Sequence, residues 1–344
     1  MNEIVRKDLL DILTRINIEK LRNKTLLVTG SNGLIGTYLI SLIYLANQEK
    51  GLNTKVLGVS RNHPNKTLLE FSSDKNFKFY TKNLAETFNI LEEPDYIIHA
   101  ACYAQPKKFL ENPIETIKLN TETTEHLLKL AMKKKAGFLF ISSSEIYGQP
   151  DPSNIPTPET YNGNCSPLAD RALYMESKRL GETICKIYKE NFGVDVKIAR
   201  ASSIFGPGIS IHDPRVLGNF LNKALNKGHI DLMDQGDQER TWCYISDCTL
   251  MLFNLLLHGK DFVYNVGGKE LVSIRQMAEI IAELTNARVS VPEEEHKENF
   301  VKGAPSRVEV DITKITEEFN LGNFITFKQG IKNTIEWNRI EFLK

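Results

Sequence analysis

The chain has 344 residues, 41% of them hydrophobic and 25% charged, which suits a globular protein of one large domain or two closely packed ones. Its 43 Lys and Arg balance its 43 Asp and Glu, so no bulk charge draws it to nucleic acid or a membrane surface. Five scattered cysteines (Cys102, Cys165, Cys185, Cys243, Cys248) form no C-x-x-C pair and lack His partners at zinc spacing, and so read as reduced thiols of a cytoplasmic protein without a metal site.

Residues 1–24 alternate charged and apolar positions, which predicts one or two amphipathic helices laid against the first strand and no signal peptide. Nowhere does an apolar run approach the ~18 residues of a membrane span. Thr25–Thr29 predicts a strand and residues 34–45 a helix; strands follow at Lys55–Ser60, residues 78–80 and Tyr96–His99. A long helix is predicted over 116–134, a strand over 138–142, a helix over 173–191 and a strand over 196–199. Near-continuous apolar strands alternating with helices predict an α/β fold, a doubly wound parallel sheet of the Rossmann type, in residues 1–199. After Arg200, Gly206, Pro207 and Gly208 break the chain, 216–227 is helical, and shorter strands follow. Residues 200–344 therefore predict mainly a smaller α+β substrate lobe, with some segments returning to the first domain. The proline-rich stretch 150–158 predicts a long surface loop.

The first strand runs into Gly30-Ser31-Asn32-Gly33-Leu34-Ile35-Gly36 and then a helix. Gly30 permits a tight turn, Gly33 lets backbone approach a pyrophosphate, and Gly36 allows close helix–strand packing, while the helix dipole favours the anion. That pattern predicts a dinucleotide site. The second strand ends Val59-Ser60-Arg61-Asn62, without the acid that usually holds the adenosine ribose. A guanidinium at Arg61 would tolerate or attract a 2′-phosphate, or could be a solvated loop residue, so NAD and NADP both stay open.

Tyr174 and Lys178 stand four apart on one helical face. An ammonium beside a phenol lowers its pKa, so a tyrosinate could take a proton from a hydroxyl as hydride leaves the same carbon. Ser142-Ser143-Ser144-Glu145 ends the preceding strand, where doubly wound sheets bind ligands.

With these residues, His99-Ala100-Ala101, Asn120 and the Ser–Glu–Ile–Tyr–Gly segment, the chain from about Lys24 onward resembles the extended short-chain dehydrogenases/reductases. The resemblance implies Ser143 as catalytic hydroxyl, Tyr174 as base, and Lys178 as the residue that tunes it and binds the nicotinamide ribose. It implies that His99, Ala100 and Ala101 line the cofactor. Asn83-Leu84 departs from the family's usual Asp-Leu near the adenine, where an amide could still hydrogen-bond. Later segments resemble the nucleotide-sugar members: Arg200 to Pro207, Arg215 to Asn219 and Phe220, Arg240 before Tyr244, and Arg307 before Asp311. There the resemblance implies that Arg240 and Arg307 contact the nucleotide, with Arg215, Asn219 and Ser144 near the substrate. A neutral protein needs such inserted guanidiniums to hold a dianionic diphosphate.

Members of this branch oxidise the sugar C4 hydroxyl to a ketone and then diverge. A plain 4-epimerase needs no further acid, whereas a 4,6-dehydratase uses a carboxylate; the dTDP-glucose dehydratases carry Asp-Glu at the position of Ser144-Glu145, and both the UDP-glucuronate decarboxylases and the GDP-mannose 4,6-dehydratases carry Ser-Glu there. Residues 164–178 and 215–220 look most like the decarboxylases, with a dehydratase, epimerase or reductase as alternatives. Arg171, one turn before Tyr174, could meet a substrate carboxylate, while Ser202-Ser203 stands where the family often has an Asn. The same fold can also bind a cofactor without turnover, but the intact tyrosine, lysine and hydroxyl favour an enzyme. The resemblance further implies a homodimer through a four-helix bundle; Leu127, Leu128, Ala131, Ile184 and Ile187 fit that seam or an ordinary core.

Overall fold

In a computed structural model, which describes residues 1–86, 88–90, 92–293 and 305–343, seven parallel strands form one sheet. They are β1 (Thr25–Thr29), β2 (Lys55–Ser60), β3 (Phe77–Thr81), β4 (Tyr96–His99), β5 (Gly137–Ser143), β6 (Val196–Ala201) and, from the second half of the chain, Val263–Val266. Across the sheet the order is β3-β2-β1-β4-β5-β6 and then Val263–Val266. Strand order reverses between β1 and β4, so a crevice opens beyond their carboxyl ends.

Side-chain alternation along each strand feeds two cores. Leu26, Val28, Val56 and Ile98 join the core under α1 (Glu3–Arg15) and α2 (Leu34–Lys50), whereas Leu27, Leu57 and Ile97 join the core on the opposite face. Fully burying each such side chain contributes about 1.5–3 kcal/mol. After the short α3 (Lys66–Leu69) and α4 (Pro106–Glu111), the second face is covered by α5 (Pro113–Asn120), α6 (Glu122–Lys134) and α7 (Ala172–Phe192).

Several sequence expectations change in the folded chain. The N-terminal helix does not lie on β1: α2 already covers that strand, so α1 packs on α2 and on the helix Ile245–His258. The helix expected over 116–134 is two, because Thr121 leaves helical geometry at φ −120° and ψ −76°. Tertiary hydrogen bonds on either side set the two directions, from Asn120 Nδ2 to Ser177 Oγ at 2.9 Å and from Thr123 Oγ1 to the Leu84 carbonyl at 2.6 Å. The proline-rich stretch is anchored at its far end: buried Thr157 donates its N–H to Glu309 O and accepts from Asp311 N–H.

The second half builds three small sheets: β7 (Ile204–Phe205) with β10 (Cys243–Tyr244), β8 (His229–Asp231) with β13 (Arg288–Ser290), and β12 (Leu271–Ser273), β9 (Glu239–Thr241) and β14 (Arg307–Val308) together. In this numbering Val263–Val266 is β11, and α8 (Val216–Asn222) and α9 (Ile245–His258) complete the helices used below. No helix among the described residues is long and apolar enough to cross a membrane, and all five cysteines are unpaired.

Candidate active site

The glycine turn between β1 and α2 is shaped by what cannot be added to it. Gly30 has φ +71°, and a Cβ there would stand 2.6 Å from the Ala100 carbonyl oxygen; a Cβ at Gly36 would stand 2.4 Å from the Gly30 oxygen. Gly33 caps α2 without any side-chain hydrogen bond, so the first N–H groups of this 17-residue helix, on Leu34 and Ile35, have no capping partner. Those donors, at the positive end of the helix dipole, fit a pyrophosphate. Asn32 braces the turn: its amide donates to Asn62 O and His63 O at 3.2 and 2.8 Å and accepts from Asn65 N–H at 2.9 Å.

Ala100 and Ala101 follow β4 directly beneath this turn. His99 lies deeper, and burial pulls its pKa down to about 3, so the ring is neutral. The Leu119 carbonyl can only accept, which assigns the proton to Nε2 and leaves Nδ1 to accept from Thr29 Oγ1. His99 thus serves the sheet interior. Asn83 donates to Glu86 Oε1 at 2.8 Å beyond β3, and neighbouring Leu84 is buried. Arg61, at the end of β2, meets Tyr103 Oη and lies 3.3 Å from Glu115 Oε2.

On the other side of the crevice β5 ends at Ser143, which caps a single 3₁₀ turn over Ser144–Tyr147. Its hydroxyl accepts from Glu145 N–H at 3.2 Å and is near enough to the phenol of Tyr174 to favour its ionised form. Tyr174 and Lys178 are both buried on α7. Lys178 donates to the Ile141 carbonyl at 2.6 Å and sits 4.8 Å over the Phe140 ring, which fixes it under the end of β5. Burial lowers its pKa. Phe109 of α4 stacks on Tyr174 with ring centres 5.0 Å apart and planes 14° apart, a support that no sequence motif announced.

The phenol does not behave as expected from the Tyr–Lys spacing alone. Burial holds the Tyr174 pKa well above its usual value, Cys102 and Glu145 push the same way, and Ser143 and Arg171 oppose. Desolvation outweighs nearby positive charge, so the resting side chain carries its proton.

Beside this group lies a charge cluster. Arg171 is buried and its Nη2 donates to Glu145 Oε1 at 2.5 Å. Arg240 reaches the same place from β9: burial pulls its pKa below the usual guanidinium range, Glu145 opposes that and Arg171 adds to it. Its donors go to the carbonyls of Glu239 and Pro305, and among the described residues it has no carboxylate within ion-pair distance. The other expected guanidiniums are committed elsewhere. Arg215 grips Asp213, 2.7 Å from Nη2, and Asn219 is exposed one turn on. Arg307 pairs with Glu309 at 2.6 Å; strand register sets it beside Glu239, one position out of phase with Arg240. Arg200 is half-buried against Glu182, with Nη2 to Oε2 at 2.7 Å, and Ser142 donates to that carboxylate at 2.6 Å, so this arginine ties β5, β6 and α7 together.

Residues 26–267 match the NAD dependent epimerase/dehydratase family. The chain belongs to that family. Among relatives, UDP-glucuronic acid decarboxylase 1 of Arabidopsis thaliana is 31% identical over 90% of this chain and 68% of its own length. The Xenopus tropicalis protein of the same name is 31% identical over 92% of this chain and 73% of its own. Solved structures share the family's fold: a dTDP-glucose 4,6-dehydratase from Streptomyces venezuelae superposes with TM-score 0.78 and 22% identity, covering 92% of this chain and 97% of that one. A UDP-glucuronic acid 4-epimerase from Bacillus cereus gives 0.77 and 21%, covering 92% and 100%.

Proposed function

We propose that this chain is an NAD-dependent enzyme that oxidises the C4 hydroxyl of a nucleotide sugar, and that its substrate is UDP-glucuronate, which it decarboxylates. The observation that carries this reading is the Glu145–Arg171–Arg240 cluster beside Ser143 and Tyr174. A plain 4-epimerase has no use for a carboxylate there. Arg171 is buried on Glu145, and half-buried Arg240 has no carboxylate partner among the described residues, which leaves positive charge that a diphosphate or a sugar carboxylate would satisfy. The decarboxylases at 31% identity support the acidic sugar.

Gly30, Gly33, Gly36, Leu34 and Ile35 would hold the pyrophosphate of NAD, Ala100 and Ala101 its nearby face, and Lys178 its nicotinamide ribose. When bound, NAD supplies the hydride acceptor and donor. Tyr174 rests protonated; in its deprotonated form, which the positive charges of Lys178 and of bound NAD would favour, it takes the C4 hydroxyl proton while Ser143 holds the oxygen. The β-keto acid then loses carbon dioxide as the C5–carboxyl electron pair moves towards the C4 oxygen. C5 afterwards gains a proton, which Glu145 relays, and Arg171 keeps that carboxylate oriented. Arg240 binds the diphosphate.

Leu127, Leu128 and Ala131 are fully buried within the subunit and so belong to its own core. Ile114 and Ile117 on α5 and Leu180 and Ile187 on α7 are exposed instead, which supports a second copy packing there. The unpaired cysteines support a reducing compartment, the cytoplasm.

The test is mass spectrometry of the enzyme incubated with NAD and, separately, UDP-glucuronate, UDP-glucose, dTDP-glucose and GDP-mannose. Loss of carbon dioxide from UDP-glucuronate is expected. Loss of water from a neutral sugar, with UDP-glucuronate untouched, would make the enzyme a dehydratase.

A further inference from the structure

The adenosine end of the cofactor site holds a cluster that the reaction itself does not use. β2 ends at Ser60 beside β1, so Arg61 stands next to the glycine turn. The segment after it is tied to that turn through the Asn32 amide and the carbonyls of Asn62 and His63. The usual carboxylate at this strand end is missing, but another reaches the same place from α5. Glu115 Oε2 accepts from Tyr103 Oη at 2.7 Å and lies 3.3 Å from Arg61 Nη1, which also meets Tyr103 Oη. The guanidinium lies 5.2 Å from the centre of the Tyr103 ring.

An isolated arginine at the end of β2 is a receptor for a 2′-phosphate, which carries nearly two negative charges at neutral pH. Arg61 is not isolated. We infer that Glu115, linked through Tyr103, cancels the charge of Arg61 and makes the site select a dinucleotide with a free 2′-hydroxyl over one with a 2′-phosphate. The phosphate would have to compete with a carboxylate already on the guanidinium and would meet its repulsion. A 2′-hydroxyl adds no charge and leaves the pair intact. Arg61 and Glu115 are both exposed, so solvent screens the pair and the selection is moderate, about tenfold.

This inference rests on the reading that the glycine turn binds a dinucleotide, and calorimetric titration of the intact protein with NAD and with NADP tests both. Wild type is expected to bind NAD more tightly. Glu115→Gln is expected to tighten NADP about tenfold with little change for NAD, and Tyr103→Phe, which loosens the bridge, to move the ratio part of the way. In an Arg61→Ala background Glu115→Gln should no longer change the ratio. Wild type preferring NADP would overturn the inference, as would a Glu115→Gln variant with an unchanged ratio or the same shift without Arg61. Failure of wild type to bind either dinucleotide would overturn the dinucleotide reading itself, and the inference with it.

Discussion

The two sides of the crevice are built by different means. The cofactor side is backbone: Gly30, Gly33 and Gly36 lie within one short turn, and its donors are the first N–H groups of α2. The side to which we assign the chemistry is made of side chains from separate segments. Glu145 and Arg171 are 26 residues apart, and Arg240 arrives from a different sheet. A backbone site depends on the absence of side chains, which is a local property. A charge cluster depends on desolvated groups being brought together, and its strength comes from burial as much as from identity.

That contrast can be broken by experiment. The largest effect is expected for Tyr174→Phe, which removes the proton acceptor without touching the glycine turn. Turnover should fall about a thousandfold while calorimetry still shows NAD binding. A fully active variant would remove Tyr174 from the chemistry. Next comes Glu145→Gln, where carbon dioxide release over repeated turnovers should drop about a hundredfold because C5 no longer gains its proton. Slow C4 oxidation, seen as NADH absorbance, should outlast it, and normal release would end the role given to that carboxylate. Arg240→Gln should raise the KM for the nucleotide sugar about 10- to 100-fold through lost charge-assisted hydrogen bonds, with NAD affinity unchanged. An unchanged KM would place the diphosphate elsewhere.

The smallest effect lies away from both sides and serves as their control. Asp8 on α1 accepts from Tyr38 at 3.2 Å and Tyr244 at 2.7 Å, and burial raises its pKa to about 6, with Asp11 adding and Lys7 opposing. Nearby Asp247, which accepts from Ile325 N–H and has Arg15 at 3.8 Å, is raised by burial to about 7. A carboxyl whose folded pKa exceeds its unfolded value contributes stability present below about pH 4 and lost as pH climbs through 6 to 7. For Asp8 this is on the order of 3 kcal/mol in all, of which about half falls between pH 5 and pH 8. The fall in Tm between pH 5 and pH 8 should therefore shrink in Asp8→Asn, and an undiminished fall would refute the assignment.

Legibility followed the same division. The glycine turn, the parallel strands and the Tyr174–Lys178 pair were readable because each is set by residues close in sequence. Arg200, Arg215, Arg240 and Arg307 looked alike in sequence, yet three of them sit in carboxylate pairs and, of these four, only Arg240 joins Arg171 near Glu145. Phe109 behind Tyr174, and Glu115 with Tyr103 around Arg61, carried no local signal, since each acts through a partner on another element.

The sequence by itself determined the periodicity that builds a parallel sheet and the one turn where only glycine fits, because apolar spacing and backbone sterics act between neighbours. Only the tertiary structure decided which of the four arginines has no carboxylate partner among the described residues, which helix breaks at Thr121 and how strongly Tyr174 holds its proton. Ion pairing and desolvation are sums over groups distant in the chain, and their values exist only once the fold has chosen the neighbours.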